Sequence, residues 1–244
     1  MEVTEQTTND NPGSGRALRR SFLEGWVFVV LPLGILSAIL CRYWIDLTVA
    51  RWCWTRHYKV FDIEYSKFVR ESLVLMEIFG NDIGIVIVAV LIVELDRSRW
   101  VRLLRFFTAI LLSGLAVNTI KLFVLRRRPQ GFRFLNPELV AQHDVLSVDW
   151  TPWTSTFKSV EHSFPSGHTA TAFAAFAVLS FFYPAGRRIF FTLAVLVGVQ
   201  RIMVCAHFPS DVIIGALIGL LLGRACASFG RSSSPVLVYP RSEL

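Results

Sequence analysis

The stretch Phe106-Phe-Thr-Ala-Ile-Leu-Leu-Ser-Gly-Leu-Ala-Val-Asn-Thr-Ile-Lys121-Leu-Phe-Val-Leu125, closed by Arg126-Arg127-Arg128-Pro129, decides the class of this chain. Its apolar length matches the roughly 20 residues a helix needs to cross the hydrocarbon core of a bilayer. A proline disfavours helical backbone in the residue before it, so Pro129 marks where the helix should stop. Working outward, apolar runs of similar character occupy about Trp26 to Cys41, Ile78 to Leu95, Thr169 to Phe182, Phe190 to Val204 and Val212 to Phe229. Several are short for a crossing, and Asn81 and Asp82 lie near the start of the run from Ile78. Together they predict an all-α protein, a six-transmembrane-helix integral membrane bundle. Residues 22–230 then form the membrane domain, between a disordered cytoplasmic N-terminus (1–21) and a cytoplasmic C-terminal tail (231–244).

Composition agrees. Hydrophobic residues make up 53% of the 244 and the mean hydropathy is +0.51, above the roughly 45–50% apolar content of soluble domains. The formal net charge of +7 does not point to nucleic acid, because no soluble module carries it and most arginines flank apolar runs. Cys41, Cys53, Cys205 and Cys226 match no metal or redox spacing, so neither a disulfide framework nor a metal site is expected. The first run lacks a small-x-small cleavage site, being followed by Arg42-Tyr43-Trp44, and reads as an uncleaved helix rather than a signal peptide. The Trp-rich segment from Arg42 to Glu71 is expected at headgroup depth.

Charge sets the orientation. Arg16, Arg19 and Arg20; Arg97, Arg99, Arg102 and Arg105; Arg187 and Arg188; and Arg224 and Arg231 fall on one side of six crossings, which the positive-inside rule makes cytoplasmic. Cys53 would then lie outside and react with an impermeant thiol reagent. Arg126, Arg127 and Arg128 also stand on the outer side, against the rule, and an anionic ligand is a reason for cations there.

Three fragments gather at that outer face. Lys121 and Arg128 are two helical turns apart and share a face if the helix continues; taken alone, they read equally as cations snorkelling to headgroups. Ser163-Phe164-Pro165-Ser166-Gly167-His168 precedes the fourth run, with Pro165 suited to a first helical turn and the free N–H groups of that turn suited to an anion; an ordinary helix start with a surface histidine fits too. Arg201, His207 and Asp211 flank the turn at Phe208-Pro209, where Asp211 is placed to accept a hydrogen bond from one ring nitrogen of His207 and leave the other nucleophilic; an Asp cap with a chance histidine is the plainer reading. In conjunction the three supply cations for phosphoryl oxygens, a nucleophile and an acid, the needs of phosphoryl transfer.

The pattern Lys121-x6-Arg128-Pro129, Pro165-Ser166-Gly167-His168 and Arg201-x5-His207-x3-Asp211 resembles the type 2 phosphatidic acid phosphatase superfamily, which includes bacterial lipid phosphatases and vanadium haloperoxidases. The resemblance implies His207 as the nucleophile that forms a phosphohistidine, Asp211 as its orienting partner, and His168 as the acid that protonates the leaving group and then activates water. It implies Lys121, Arg128, Ser166, Gly167 and Arg201 as the phosphate-binding set, with no metal and no cofactor. Gln200 departs from the family, which usually has Ser before the third-motif arginine, and puts a supporting hydrogen bond in doubt. His162 reads as a bystander.

The expected activity is hydrolysis of lipid phosphates or pyrophosphates of the phosphatidic acid, phosphatidylglycerophosphate or undecaprenyl pyrophosphate type, at the extracytoplasmic face of a bacterial plasma membrane. Arg126 and Arg127 are expected to contact a second phosphate or face headgroups. The alternatives are a phosphotransferase that passes the phosphoryl group to an alcohol, and a non-catalytic lipid-phosphate binding or transport protein. The partners expected are the lipid substrate and the bilayer, with no nucleic acid; oligomeric state is not legible.

Overall fold

The computed structural model describes residues 28–61, 66–96, 99–132, 149–150 and 162–229. The N-terminal segment, the C-terminal tail and most of the loop after Arg128 lie outside the described residues. Helix α1 (28–61) runs through a π turn at Cys41–Ile45 and continues as Asp46–Phe61, so the first part of the Trp-rich segment prolongs the first apolar helix. Then come α2 (Ser66–Glu77) with a 3-10 turn at Ile78–Gly80, α3 (Asp82–Leu95), α4 (Arg99–Phe123), α5 (Gly167–Phe182), α6 (Arg187–Met203) and α7 (Pro209–Ser228). Strand pairing among the described residues is confined to β1 (Val124–Leu125), antiparallel to β2 (Asp149–Trp150), and a bridge from Arg126 to His162.

Three described helices are long and apolar enough to cross a membrane: Phe28–Cys53, Arg99–Phe123 and Pro209–Ser228. A fourth forms if Glu71–Gly80 and Asp82–Leu95, bent by 56°, count as one broken span, and Gly167–Phe182 is a shorter apolar helix. The bend answers to Asn81 and Asp82. Asn81 is extended, and its side chain accepts from the backbone N–H of Gly84 at 3.1 Å, capping α3 and ending the turn before it.

At the centre is α5, packed by α4, α6 and α7. Phe106 and Ala109 of α4, Ala172 and Ala174 of α5, and Ala194 and Val197 of α6 are fully buried in this core. The contact of α5 with α7 depends on small residues. A Cβ on Gly215, Gly219 or Gly223 would stand 2.4 Å from the Ser166 carbonyl oxygen, 2.1 Å from that of Ala170 and 2.7 Å from that of Ala174. Three glycines at four-residue spacing thus let two helix backbones touch, the means by which helices associate where lipid offers no hydrophobic drive. Leu104, Leu111, Leu115 and Val90 are instead exposed on the outside, the side a bilayer would cover.

One end of the bundle is pinned by arginines. Asp96 binds Arg102 and the Tyr183 hydroxyl, Arg105 donates to the Ala227 carbonyl at 2.7 Å, and Arg102 and Arg224 lie over the rings of Phe182 and Phe181 at 5.4 and 5.6 Å. The three fragments of interest lie at the other end, about 37 Å away along α4 at 1.5 Å per residue.

Candidate active site

The cradle at the start of α5 comes from its own capping. Ser166 is the N-cap, extended at φ −74°, ψ 114°, so Pro165 stands before the cap rather than in the first helical turn. The Phe164–Pro165 peptide is cis. The Ser166 hydroxyl is paired with that of Thr169 at 2.9 Å, and its backbone N–H donates to the Asp211 carbonyl at 3.1 Å. Gly167 and His168 open the first turn, where helix N–H groups have no intrahelical partner.

The turn between α6 and α7 places His207. Cys205 is left-handed at φ 54°; its N–H donates to Ile202 at 3.0 Å and that of Ala206 to Arg201 at 3.1 Å. This is a Schellman motif, here made with a cysteine where glycine is usual, at a cost of about 1 kcal/mol. The His207 N–H also donates to the Arg201 carbonyl, at 3.2 Å. Arginine and histidine are thereby locked together at the helix end.

His207 is 3% exposed, and its Nδ1 lies 2.6 Å from the Ser163 carbonyl oxygen and 3.8 Å from Asp211 Oδ2. A carbonyl can only accept, so Nδ1 carries the proton and the lone pair is at Nε2. The expected Asp211 hydrogen bond is therefore made by a backbone carbonyl, with the carboxylate just behind it. Burial disfavours the imidazolium and holds its pKa below the ordinary histidine value, against the pull of Asp211.

Asp211 has other obligations. At the third position of α7 its Oδ2 accepts from the Phe208 N–H at 3.0 Å and from the Ser163 hydroxyl at 2.6 Å, while Oδ1 pairs with Arg126. Arg126 is 2% exposed and also binds Asp46 of α1 at 2.7 Å and the Ser210 hydroxyl at 2.7 Å, with its guanidinium 4.2 Å above the Phe208 ring. Arg126 thus faces inward onto two carboxylates, which removes it as a contact for a second phosphate; Arg127 is exposed. The helix does not continue to Arg128 either. It ends at Phe123, because β1 pairs with the returning loop and the Ser163 N–H donates to the Arg126 carbonyl at 2.9 Å.

Lys121 and Arg128 are half-buried near Asp211 and His207. Among the described residues no carboxylate pairs with either, and the buried Nε of Arg128 has no hydrogen-bond partner. Arg201 is different. It pairs with Glu77, which also sits 3.1 Å from His168 Nε2, and its Nε donates to the Gln200 side-chain oxygen at 2.5 Å. Gln200, the departure from the family pattern, closes the set by donating to Glu77 at 3.1 Å.

All eight candidates, Lys121, Arg128, Ser166, Gly167, His168, Arg201, His207 and Asp211, meet at this end of the bundle. Sequence reasoning missed Glu77, Asp46 and Ser163, and gave Arg126 the wrong surroundings. Ser163 stood within the quoted fragment. Nothing in the local sequence marks Glu77 or Asp46, which reach the site only through tertiary packing. His162 is buried beside Arg126 through the backbone bridge.

Over 113 residues the chain is 37% identical to a lipid A 1-phosphatase of Rhizobium etli, covering 46% of this chain and 44% of that protein. Over 135 residues it is 32% identical to lipid phosphate phosphatase 2 of Arabidopsis thaliana, covering 48% and 47%. The chain thus spans less than half the length of these curated relatives. The fold is similar to that of the first transmembrane PAP2 type phosphatidylglycerolphosphate phosphatase from Bacillus subtilis, with TM-score 0.51 and 21% identity over 82% of this chain and 92% of that one. Residues 102–233 match the PAP2 superfamily, a segment holding every candidate residue and all of the cluster except Asp46 and Glu77. On that match the chain belongs to the PAP2 superfamily.

Proposed function

We propose that this protein hydrolyses lipid phosphate monoesters or pyrophosphates through a phosphohistidine on His207, without a metal. The observation that carries the reading is a buried, neutral imidazole with its lone pair at Nε2, set among Lys121 and Arg128, two cations that no carboxylate among the described residues pairs with. A phosphoryl group is the ligand whose charge and shape such a site complements.

In the first half-reaction His207 Nε2 attacks phosphorus as the bond to the leaving oxygen breaks, and His168 gives that oxygen a proton. Ser163 accepts from Nδ1 throughout, and Asp211 stabilises the positive charge that the ring acquires. Lys121, Arg128, Arg201, the Ser166 hydroxyl and the Gly167 N–H hold the nonbridging oxygens. In the second half-reaction His168 takes a proton from water, whose oxygen attacks phosphorus, and the P–N bond breaks to release phosphate and restore neutral His207.

The substrate is a lipid because the site lies where α4 to α7 end, within reach of a headgroup whose chains stay in the bilayer. The similarity to a lipid A 1-phosphatase and to a plant lipid phosphate phosphatase supports this class. The charge pattern supports six crossings in a bacterial plasma membrane, with the site extracytoplasmic and both termini cytoplasmic. The test is phosphate release by purified protein from phosphatidic acid, phosphatidylglycerophosphate, undecaprenyl pyrophosphate and lipid A, each with and without EDTA. Release from at least one, unaffected by EDTA and abolished in His207→Ala, is expected. Wild-type turnover in His207→Ala refutes the mechanism, and no release from any of the four refutes the substrate class.

A further inference from the structure

We propose that Glu77 is a further positioning residue of this site: its carboxylate holds His168 as the proton donor and Arg201 as a phosphate ligand in one fixed arrangement. This rests on the phosphatase reading and adds to it a residue from outside the three sequence fragments.

The geometry is specific. Both carboxylate oxygens are engaged: Oε1 lies 3.1 Å from His168 Nε2, while Oε2 pairs with Arg201 and accepts from Gln200 Nε2 at 3.1 Å. Gln200 is 3% exposed and grips both partners, since its oxygen accepts from Arg201 Nε. Glu77 is delivered by the break between α2 and α3. The 3-10 turn that follows it is pressed into the bundle at Gly80, where a Cβ would meet Val197 Cγ1 at 2.7 Å and the His168 carbonyl oxygen at 2.9 Å. Only a residue without a side chain allows that approach, and the approach sets the carboxylate beside the histidine.

Charge gives the arrangement its purpose. The groups facing His168 are Arg201 of α6, Lys121 of α4, His207 of the α6–α7 turn and Glu77 of α2. Burial first, and then the first three of these groups, hold the His168 pKa below the ordinary histidine value, and Glu77 is the carboxylate that opposes them. A histidine that must protonate an alkoxide needs that proton at neutral pH. Glu77 also keeps Arg201 from collapsing onto another acceptor before substrate arrives, and Gln200 braces both of them.

The experiment compares wild type with Glu77→Gln in detergent, as kcat/KM against pH, on a long-chain alkyl phosphate and on p-nitrophenyl phosphate, whose leaving group needs no proton. The free enzyme governs kcat/KM, so bound phosphate does not mask the carboxylate. On the alkyl ester the alkaline limb should move to lower pH by about one unit or more, the size of a close opposite charge, with at least about a tenfold loss at pH 8 and an unmoved acid limb. On p-nitrophenyl phosphate the loss should shrink to a few-fold. Glu77→Asp should recover part of the alkyl-ester rate, and Gln200→Leu, which leaves the carboxylate but loosens it, should show a smaller shift of the same sign. An unmoved alkaline limb, or equal losses on the two esters, overturns the proposal. If Glu77→Gln does not fold, Gln200→Leu decides by the same two criteria. A wild-type protein inactive on both esters would sink the phosphatase reading itself; an active wild type with an unshifted variant sinks the role of Glu77 alone.

Discussion

Arg126 and Arg128 stand two residues apart in one run of three arginines, and the structure gives them opposite roles. Arg126→Met removes the counter-ion of both Asp46 and Asp211, which are fully buried. The two carboxylates would then keep hydrogen bonds from Ser210 and Ser163 but lose the cation that pairs directly with both. Breaking a buried ion pair from one side costs about 3–5 kcal/mol, and for a chain of this length each kcal/mol lowers Tm by about 2–4 °C. A fall of about 6–20 °C is expected, with loss of activity because the Ser163–Asp211 frame around His207 is disturbed. Arg128→Met leaves no carboxylate behind, since none pairs with Arg128 among the described residues. Its Tm should stay within about 2 °C of wild type or rise. Its kcat/KM should fall by the worth of a charged hydrogen bond, about 1.5–3 kcal/mol, or roughly ten- to 150-fold. Thermal unfolding in detergent, with and without vanadate as a phosphoryl mimic, reads both effects. Vanadate should stabilise wild type and do so much less for Arg128→Met. Equal Tm losses in the two variants, or an Arg126→Met protein as stable and active as wild type, would refute the division of the cluster into an inward and a ligand-facing arginine.

Other outcomes follow from single observations. Because burial depresses the pKa of His207, its nucleophilic form persists below the ordinary histidine range, so the acid limb of kcat/KM should lie below about pH 6.5. The same shift makes stability fall as pH drops below about 6.5, since the unfolded chain then binds a proton the folded one refuses, by at most about 1.4 kcal/mol per pH unit; His207→Asn should flatten the Tm–pH curve, and an unchanged slope would contradict the buried neutral ring. Gly219→Ala should unfold or strongly destabilise the protein, its Cβ falling 2.1 Å from the Ala170 carbonyl oxygen, whereas Gly114→Ala, with nothing within 4 Å, should be neutral or raise stability; equal Tm values would refute the close α5–α7 contact. Cys53 is 1% exposed, so an impermeant thiol reagent should label it only after denaturation, contrary to the expectation from topology alone.

What was legible in the sequence was whatever depends on local spacing. The apolar runs locate the helices of the bundle because a helix in lipid must satisfy its own backbone, and the motif residues fall at helix ends because charge cannot stay inside a run. Asn81 and Asp82 read as a weakness in one span, and they are the cap that breaks it. What was not legible depends on the return of distant chain. Lys121 and Arg128 have the spacing of a helical face, but β2 and Ser163 offer the backbone other partners after Phe123, and those partners lie beyond any local window. The same cause explains Arg126. Three consecutive arginines look alike until Asp46, 80 positions earlier, and Asp211, 85 later, claim the first of them.

The two charge systems that result are of different kinds, and the difference bears on what the protein can do. Arg126, Asp46, Asp211, Ser163 and Ser210 are joined by ion pairs and hydrogen bonds, tying α1, the loop before α5 and the start of α7 into one frame behind His207. A frame of that kind is rigid because each partner lost leaves a buried charge unpaired. Lys121 and Arg128 differ: both are half-buried, and among the described residues no carboxylate pairs with either. In the proposed reaction a phosphate would neutralise them, and the frame beneath would hold His207, the proposed nucleophile, fixed while that ligand exchanges. Arg201 lies between the two kinds, held by Glu77 and Gln200 yet turned to the same space as Lys121 and Arg128. Its partner Glu77 also touches His168, the proposed proton donor, so any anion that draws Arg201 away from Glu77 changes the charge felt by His168 at the same moment.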